Sequence, residues 1–271
     1  MKNVFHYEIE GSFGDKKVLI DHVIPGSGCG VTAVLFHGVH GCCSYREGNK
    51  YRDLADQLLK KKAEVFLVET SRMIRDRDAY GTDRESWAID SFTGKTYAQD
   101  LLDNCNALHN ILETFQQGEV ILWGFSLGGI NAINILGGEY KAILSNSRLE
   151  YPELDPGLVN TLVVSGSGDK IRDEAASSLS MPVISTIGPS EELHEAASNI
   201  IEQRVFFFYG DQDRTFSEGS SRRVFEKIAS PNKDFIIITG ADHSFRQMNG
   251  VPSNEGLSEM VECLEKRGIF H

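Results

Sequence analysis

The sequence predicts an α/β fold: a mostly parallel central sheet with an antiparallel N-terminal edge, helices on both faces, and a small cap inserted late in the chain. Three observations predict it. Short apolar runs suited to buried strands alternate with stretches of helical spacing, the pattern of a parallel sheet whose crossovers are helices. The earliest runs instead alternate polar and apolar residues, as a half-exposed antiparallel edge does. Residues 147–203 then break the rhythm and exceed an ordinary connection between core strands.

Taken in order, residues 4–10 alternate, 17–24 are β-rich, and Val31-Thr32-Ala33-Val34-Leu35-Phe36 is nearly continuous, as for a strand covered on both faces. Helical spacing follows over 49–62, with Leu54, Leu58 and Leu59 on one side, and 64–68 is a short strand. Residues 71–95 form a polar stretch in which Arg72, Arg75, Arg77 and Arg84 interleave with Asp76, Asp78, Asp83 and Glu85. That interleaving favours a solvated loop over an anion site. A helix opens at Thr96, where Thr96 and Gln99 have capping-box spacing, and Leu101, Cys105, Leu108, Leu112 and Phe115 share one face. Residues 119–123 read as a strand, 127–136 as a helix and 141–144 as another strand. Later strands cover 205–209 and 235–239, followed by helices over 217–229 and 253–267; the second carries Leu257, Met260, Val261 and Leu264 in register. The interruption holds Pro152, Pro156, Pro182 and Pro189, the short run Leu162-Val163-Val164, and a helix over 191–201. The chain divides on this reading into a core of 1–146 and 204–271 and a cap of 147–203.

Composition sets the outer bounds. A chain of 271 residues, 41% apolar and 24% charged, fits one globular domain. Its net charge of −12 repels phosphate backbones and anionic lipid headgroups, so nucleic acid and membrane surfaces are not expected partners. No N-terminal apolar segment of secretory type is present, and the five cysteines are irregularly spaced. A cytoplasmic protein with reduced thiols, acting on a small molecule, is expected.

The chemistry centres on Gly124-Phe125-Ser126-Leu127-Gly128. A glycine-x-serine-x-glycine match is weak alone, but this one follows the apolar strand Val120-Ile121-Leu122-Trp123 and leads directly into a helix. A serine on such a turn adopts a backbone conformation that L-residues resist, and its neighbours two positions away must lack bulk where strand and helix pack. Ser126 is therefore the candidate nucleophile. A serine hydroxyl needs a base to take its proton. His243 follows the late strand 235–239, whereas His6 and His22 lie in early strands, His109 on a helix, His194 in the cap and His271 at the end. The base in turn needs an acid to orient it and stabilise its charged form. Residues 205–209 run into Gly210-Asp211-Gln212-Asp213, and Asp213 is preferred over Asp211, which is suited to organising the turn. Asp169 is a third candidate, disfavoured because the strand bearing His243 does not come next.

With these residues in place, the chain resembles the α/β-hydrolase superfamily. The serine turn, the Gly210–Asp213 turn, Gly240-Ala241-Asp242-His243 and Phe36-His37-Gly38-Val39-His40-Gly41 are similar to that superfamily's motifs, over roughly 17–145 and 204–267. The serine–acid–histidine order is also the superfamily's. No subfamily is picked out. The resemblance implies the α/β-hydrolase fold and an oxyanion hole made by the backbone N–H groups of Leu127 and Val39, with His40 as the alternative to Val39. A competing reading of the same loop is a zinc site, since His37, His40, Cys42 and Cys43 are all possible ligands. Adjacent cysteines chelate one ion poorly and no second cluster completes a finger, so no metal or other cofactor is expected.

The expected activity is hydrolysis of a carboxylic ester or thioester through an acyl-enzyme, with a rate that falls as the histidine base is protonated. Amide or peptide hydrolysis and acyl transfer use the same three residues, and a non-catalytic binding protein on the same fold is the competing class. An aspartate-nucleophile dehalogenase is disfavoured because serine occupies position 126. Candidate substrate-binding residues are His40, Trp87 and Phe92, with Tyr151 and Leu154 as further candidates for an acyl pocket.

Overall fold

The computed structural model describes residues 2–39, 41–115, 118–176 and 181–270, apart from the side chain of Arg84. The N-terminal part runs β1 (Asn3–Glu10), β2 (Lys17–Ile24), β3 (Val31–Phe36), α1 (Lys50–Lys60), β4 (Glu64–Glu69), α2 (Arg84–Phe92) and α3 (Tyr97–Phe115). The central part is β5 (Glu119–Phe125), α4 (Leu127–Leu136), α5 (Tyr140–Asn146) and β6 (Thr161–Ser165), then the short helices α6 (Asp173–Ala176) and α7 (Pro182–Ser185). The chain closes with α8 (Ser190–Ser198), β7 (Arg204–Gly210), α9 (Glu218–Lys227), β8 (Lys233–Ile238) and α10 (Glu255–Lys266).

The strands form one sheet in the order β1-β2-β4-β3-β5-β6-β7-β8. The β1–β2 and β2–β4 pairs are antiparallel; every pair from β4 to β8 is parallel. The expected antiparallel edge and parallel centre are both present. Alternate residues of β3 and β5 feed two cores. Val34, Phe36 and Leu122 face Leu101, Ile133 and Val224 of α3, α4 and α9. Ala33, Leu35 and Trp123 face Leu54 and Leu58 of α1 and Met260 and Leu264 of α10. A strand covered on both faces must be apolar at every position, which is why β3 reads as an unbroken run.

Three local assignments change. Residues 141–144 belong to α5 and not to a strand, because Tyr140 and Leu144 are buried one helical turn apart while Lys141 and Ala142 are exposed. The polar stretch 71–95 contains a helix, α2, whose N-terminus is capped by the Asp83 side chain accepting from the Ser86 N–H at 3.0 Å. Most consequentially, Thr161–Ser165 is a fully buried strand paired with β5 on one side and β7 on the other. The division at 147–203 is corrected accordingly: β6 is central to the core. The excursion above the sheet lies within 166–203, and even there Leu193, Ala196 and Ala197 of α8 pack into the core.

Behind the β4 end lies a buried polar cluster. The Lys95 ammonium, wholly inaccessible, contacts Asp100 at 2.9 Å, Asp103 at 3.1 Å and the Ser71 carbonyl at 2.8 Å. Burial would raise the Asp100 pKa, but Lys95 and the Thr70 hydroxyl outweigh it and hold the carboxyl below the usual carboxylate range. Asp103 also accepts from Ser12 N–H at 2.7 Å and Ser71 N–H at 2.9 Å, tying the β1–β2 turn to the β4 end. Lys95→Met would strand two carboxylates out of water, which typically costs about 3–5 kcal/mol. Chemical denaturation is expected to show a loss of that size; a loss under about 1 kcal/mol would mean the cluster is not the anchor described here.

Candidate active site

Five strand ends converge where the site forms. Parallel pairing sets Phe36 opposite Gly124, so the chain leaving β3 runs beside the turn leaving β5. These neighbouring strands send their next helices to opposite faces, α1 to one and α4 to the other, and the crevice between them is where open α/β sheets bind ligands. Ser126 sits at that crevice with φ 53° and ψ −117°, a region L-residues avoid. Two bonds from the β6 side restrain it: Ser126 N–H donates to the Ser165 carbonyl at 2.8 Å, and the Ser167 hydroxyl donates to the Ser126 carbonyl at 2.7 Å. A Cβ at Gly124 would fall 2.2 Å from the Gly128 carbonyl oxygen, and one at Gly128 would fall 2.6 Å from that of Phe36. Strand, helix and neighbouring strand therefore meet at van der Waals limits that glycine alone permits.

The other two candidates lie on the next strand ends. Gly210 of β7 pairs with Ile238 of β8, so the turns that follow them are adjacent. Asp213 is buried, and its Oδ1 accepts from Thr215 N–H at 2.6 Å and Phe216 N–H at 3.0 Å. Its Oδ2 lies 2.8 Å from His243 Nδ1. With Nδ1–H donating to that carboxylate, Nε2 is the ring nitrogen left to accept a proton. Asp211 accepts from the Gly240 N–H at 2.7 Å and so braces the turn before His243 without touching the ring. Asp169 is committed elsewhere, to Arg223 at 2.6 Å and His194 at 3.0 Å. Ser126 and His243 line one cavity of about 1130 Å³, together with Val39, Leu127 and Phe216.

Neither the N–H of Leu127 nor that of Val39 has a hydrogen-bond acceptor among the described residues. Leu127 is the first residue of α4, where helical N–H groups have no intrahelical partner. The loop bearing Val39 is held from behind by His37. Thr70 N–H donates to His37 Nε2 at 3.1 Å, so the ring proton resides on Nδ1, which donates to the Gly38 carbonyl at 2.7 Å. Gly41 N–H donates to the same carbonyl at 2.8 Å. Gly38 N–H donates to the Tyr51 hydroxyl at 3.3 Å, and a Cβ at Gly38 would lie 2.9 Å from Ser126 Cβ. Burial, assisted by the Arg72 charge, lowers the His37 pKa to about 4 and keeps the ring neutral.

The remaining candidates fall differently. His40 lies outside the described residues. Trp87 and Phe92 are buried and do not line the cavity; they flank the buried Arg72 guanidinium, with ring centroids 5.4 Å and 5.1 Å away. Their expected substrate role is corrected to packing around that cation. Leu154 is buried in the core and Tyr151 packs edge-on against Tyr140 at 5.7 Å, both away from the cavity. Both ring nitrogens of His37 are already hydrogen-bonded, and burial raises the Cys43 thiol pKa well above its usual value, so neither suits a zinc ligand. Thr70, Tyr51 and Ser165, which position the site, carry no motif in the sequence; only strand pairing brings them there.

The lowered His37 pKa has a consequence for stability. The unfolded histidine binds a proton near pH 6.5 and the folded one only near pH 4, so protons favour the unfolded state across that window. Stability is complete above about pH 6.5 and is lost as the pH falls towards 4, by an amount on the order of 3 kcal/mol. Denaturant midpoints measured from pH 7 to 4.5 are expected to fall in the native protein and to fall less in His37→Asn, which keeps a donor to Gly38 but does not titrate. Parallel slopes in the two proteins would refute the assignment.

No family model matches the sequence, and no curated protein matches it. Solved structures do. A cold-adapted esterase from an Arctic intertidal metagenomic library superposes with a TM-score of 0.61 at 15% identity, covering 98% of this chain and 94% of that one. The Pyrococcus furiosus esterase Pf2001 gives 0.62 at 16% identity over 97% and 90% of the two chains. A dienelactone hydrolase from Anabaena variabilis gives 0.56 at 16% identity over 97% and 96%. Sheet order, strand directions and these superpositions over nearly the whole length agree: the chain has the α/β-hydrolase fold.

Proposed function

We propose that the protein is a serine hydrolase that cleaves carboxylic esters or thioesters through Ser126, His243 and Asp213 and an acyl-enzyme intermediate. The observation that carries the reading is the buried, doubly anchored Asp213 carboxylate 2.8 Å from His243 Nδ1, at a cavity whose floor is the strained Ser126. Esterases among the structural neighbours add support at the level of fold.

In this mechanism His243 Nε2 takes the Ser126 proton as Oγ attacks the carbonyl carbon. Asp213 holds the ring in the tautomer that leaves Nε2 open and stabilises the imidazolium that forms. The developing oxyanion accepts from the N–H groups of Leu127 and Val39; one such donor is typically worth about 2.7–4 kcal/mol. The α4 N-terminus adds its positive dipole end. His243 then protonates the leaving group, and a water activated by the same nitrogen releases the acid. His37 acts one step removed. By donating to the Gly38 carbonyl it fixes the peptide plane between Gly38 and Val39, and with it the direction of the Val39 N–H.

A fluorophosphonate probe tests the reading. Labelling is expected in the native protein and absent in Ser126→Ala, with His243→Ala and Asp213→Asn slowed by about 10³-fold or more. Asp211→Asn, which alters only a turn brace, is expected to stay within about tenfold of native. A folded protein that does not label, or that labels equally after Ser126→Ala, would overturn the proposal. Turnover of matched ester, thioester and amide panels then identifies the bond cleaved.

A further inference from the structure

The cavity at Ser126 does not share the charge of the protein around it. The whole chain carries 27 basic against 39 acidic residues, whereas six basic and four acidic side chains line the cavity. Two of those acids are neutralised in place: Glu69 pairs with Arg75 at 2.7 Å, and Asp169 pairs with Arg223 and His194. The other two, Glu47 and Glu85, are exposed.

Sheet order sorts the lining into two sides. The loops after β3 and β4 lie on one side of Ser126, and the excursion after β6 lies on the other. The β6 side contributes Ile171, Ile184, Ile187, Pro189 and Leu193, a mainly apolar wall. Its cations are locally paired, Lys170 with Asp173 at 3.3 Å and, from the β8 turn, Arg246 with Asp242 at 2.7 Å. The opposite side contributes Arg46, Lys50 and Arg77, and among the described residues neither Arg46 nor Arg77 forms an ion pair. Lys50 is the closest tied to the chemistry. Its ammonium lies 4.6 Å from the ring centroid of Phe125, the residue before the nucleophile, and 5.0 Å from that of Tyr51, whose hydroxyl holds Gly38. The aromatic faces fix a cation at the cavity wall beside Ser126.

We infer that the substrate is an ester or thioester with an apolar part on one side of the scissile bond and a carboxylate on the other, the carboxylate lying against Lys50 and Arg46. This rests on the hydrolase reading and adds the substrate class to it. A carboxylate beside the half-buried Lys50 ammonium and the exposed Arg46 guanidinium gains both attraction and hydrogen bonds, and in a chain of this net charge it would otherwise be repelled. The two walls together also set direction: on the cationic side an apolar portion would displace water from charged groups while offering them no hydrogen bond, so it lies against the isoleucine, leucine and proline side.

Protection of Ser126 from the fluorophosphonate probe tests this. Two matched pairs are compared: monoethyl adipate with ethyl hexanoate, which places the charge on the acyl side, and the hexanoyl ester of glycolate with propyl hexanoate, which places it on the alcohol side. In at least one pair the anionic member is expected to halve the labelling rate at about tenfold lower concentration than the neutral one. That advantage should shrink to about twofold in the Lys50→Gln, Arg46→Gln double variant and as salt rises to about 0.5 M. If Ser126 labels but neither anionic ester protects better, or the advantage survives the double variant unchanged, the substrate inference is overturned while the hydrolase reading stands. If the native protein does not label, both fall together.

Discussion

The backbone of Ser126 is held at φ 53° because the end of β5, the start of α4 and the end of β3 meet where only glycine fits, at positions 124 and 128. That close approach turns the side chain outward above the strand ends instead of into either core. It also brings the loop after β3 against the serine, since Phe36 and Gly124 are paired across the sheet. A bulkier residue at either glycine would separate strand from helix and move the hydroxyl and the Leu127 N–H together. The site is thus a consequence of backbone packing before any side-chain chemistry is considered.

A second layer supports it from below. Lys95 neutralises Asp100, Asp100 accepts from the Thr70 hydroxyl at 2.9 Å, and Thr70 N–H fixes the tautomer of His37. His37 in turn holds the Gly38 carbonyl. Each group in the chain is buried, so each partner left unpaired would carry a full desolvation penalty, and this makes the arrangement stiff. The loop beside Ser126 therefore inherits its geometry from an ion pair in the protein interior. Neutral His37 is essential to that chain, because a protonated ring could not accept from Thr70.

The charge pattern follows from the same architecture. Acidic side chains dominate the protein, yet those deepest in the cavity wall, Glu69 and Asp169, are consumed by arginine and histidine partners. Loops from the β3–β4 side bring cations, while the excursion after β6 brings isoleucine, leucine and proline. Ser126 lies between a polar and an apolar wall because β5 lies between β3 and β6.

The parallel sheet, its antiparallel edge and the proposed trio were legible in the sequence because each leaves a local trace. Buried strands read as unbroken apolar runs, the N-terminal edge alternates polar and apolar residues, and Ser126, Asp213 and His243 each lie within five residues of a strand end. The two acids of the turn also separate in the structure: Asp213 contacts His243 and Asp211 accepts from Gly240 N–H, a division of contacts that the sequence outlines because one of two acids on a turn commonly braces it. What the sequence could not decide depended on partners distant along the chain. Five residues at Thr161–Ser165 become a strand only between β5 and β7, and Lys141–Leu144 becomes helical only because Tyr140 and Leu144 bury one face. Trp87 and Phe92 are pocket-type residues by composition, but Arg72 lies against both rings. Local order, strand type and the residues that end each strand were set by the chain itself through periodicity and backbone sterics. Which groups surround Ser126, which charges are cancelled, and which face of each aromatic meets the cavity were decided only by tertiary contact, because burial and pairing are properties of neighbours in space.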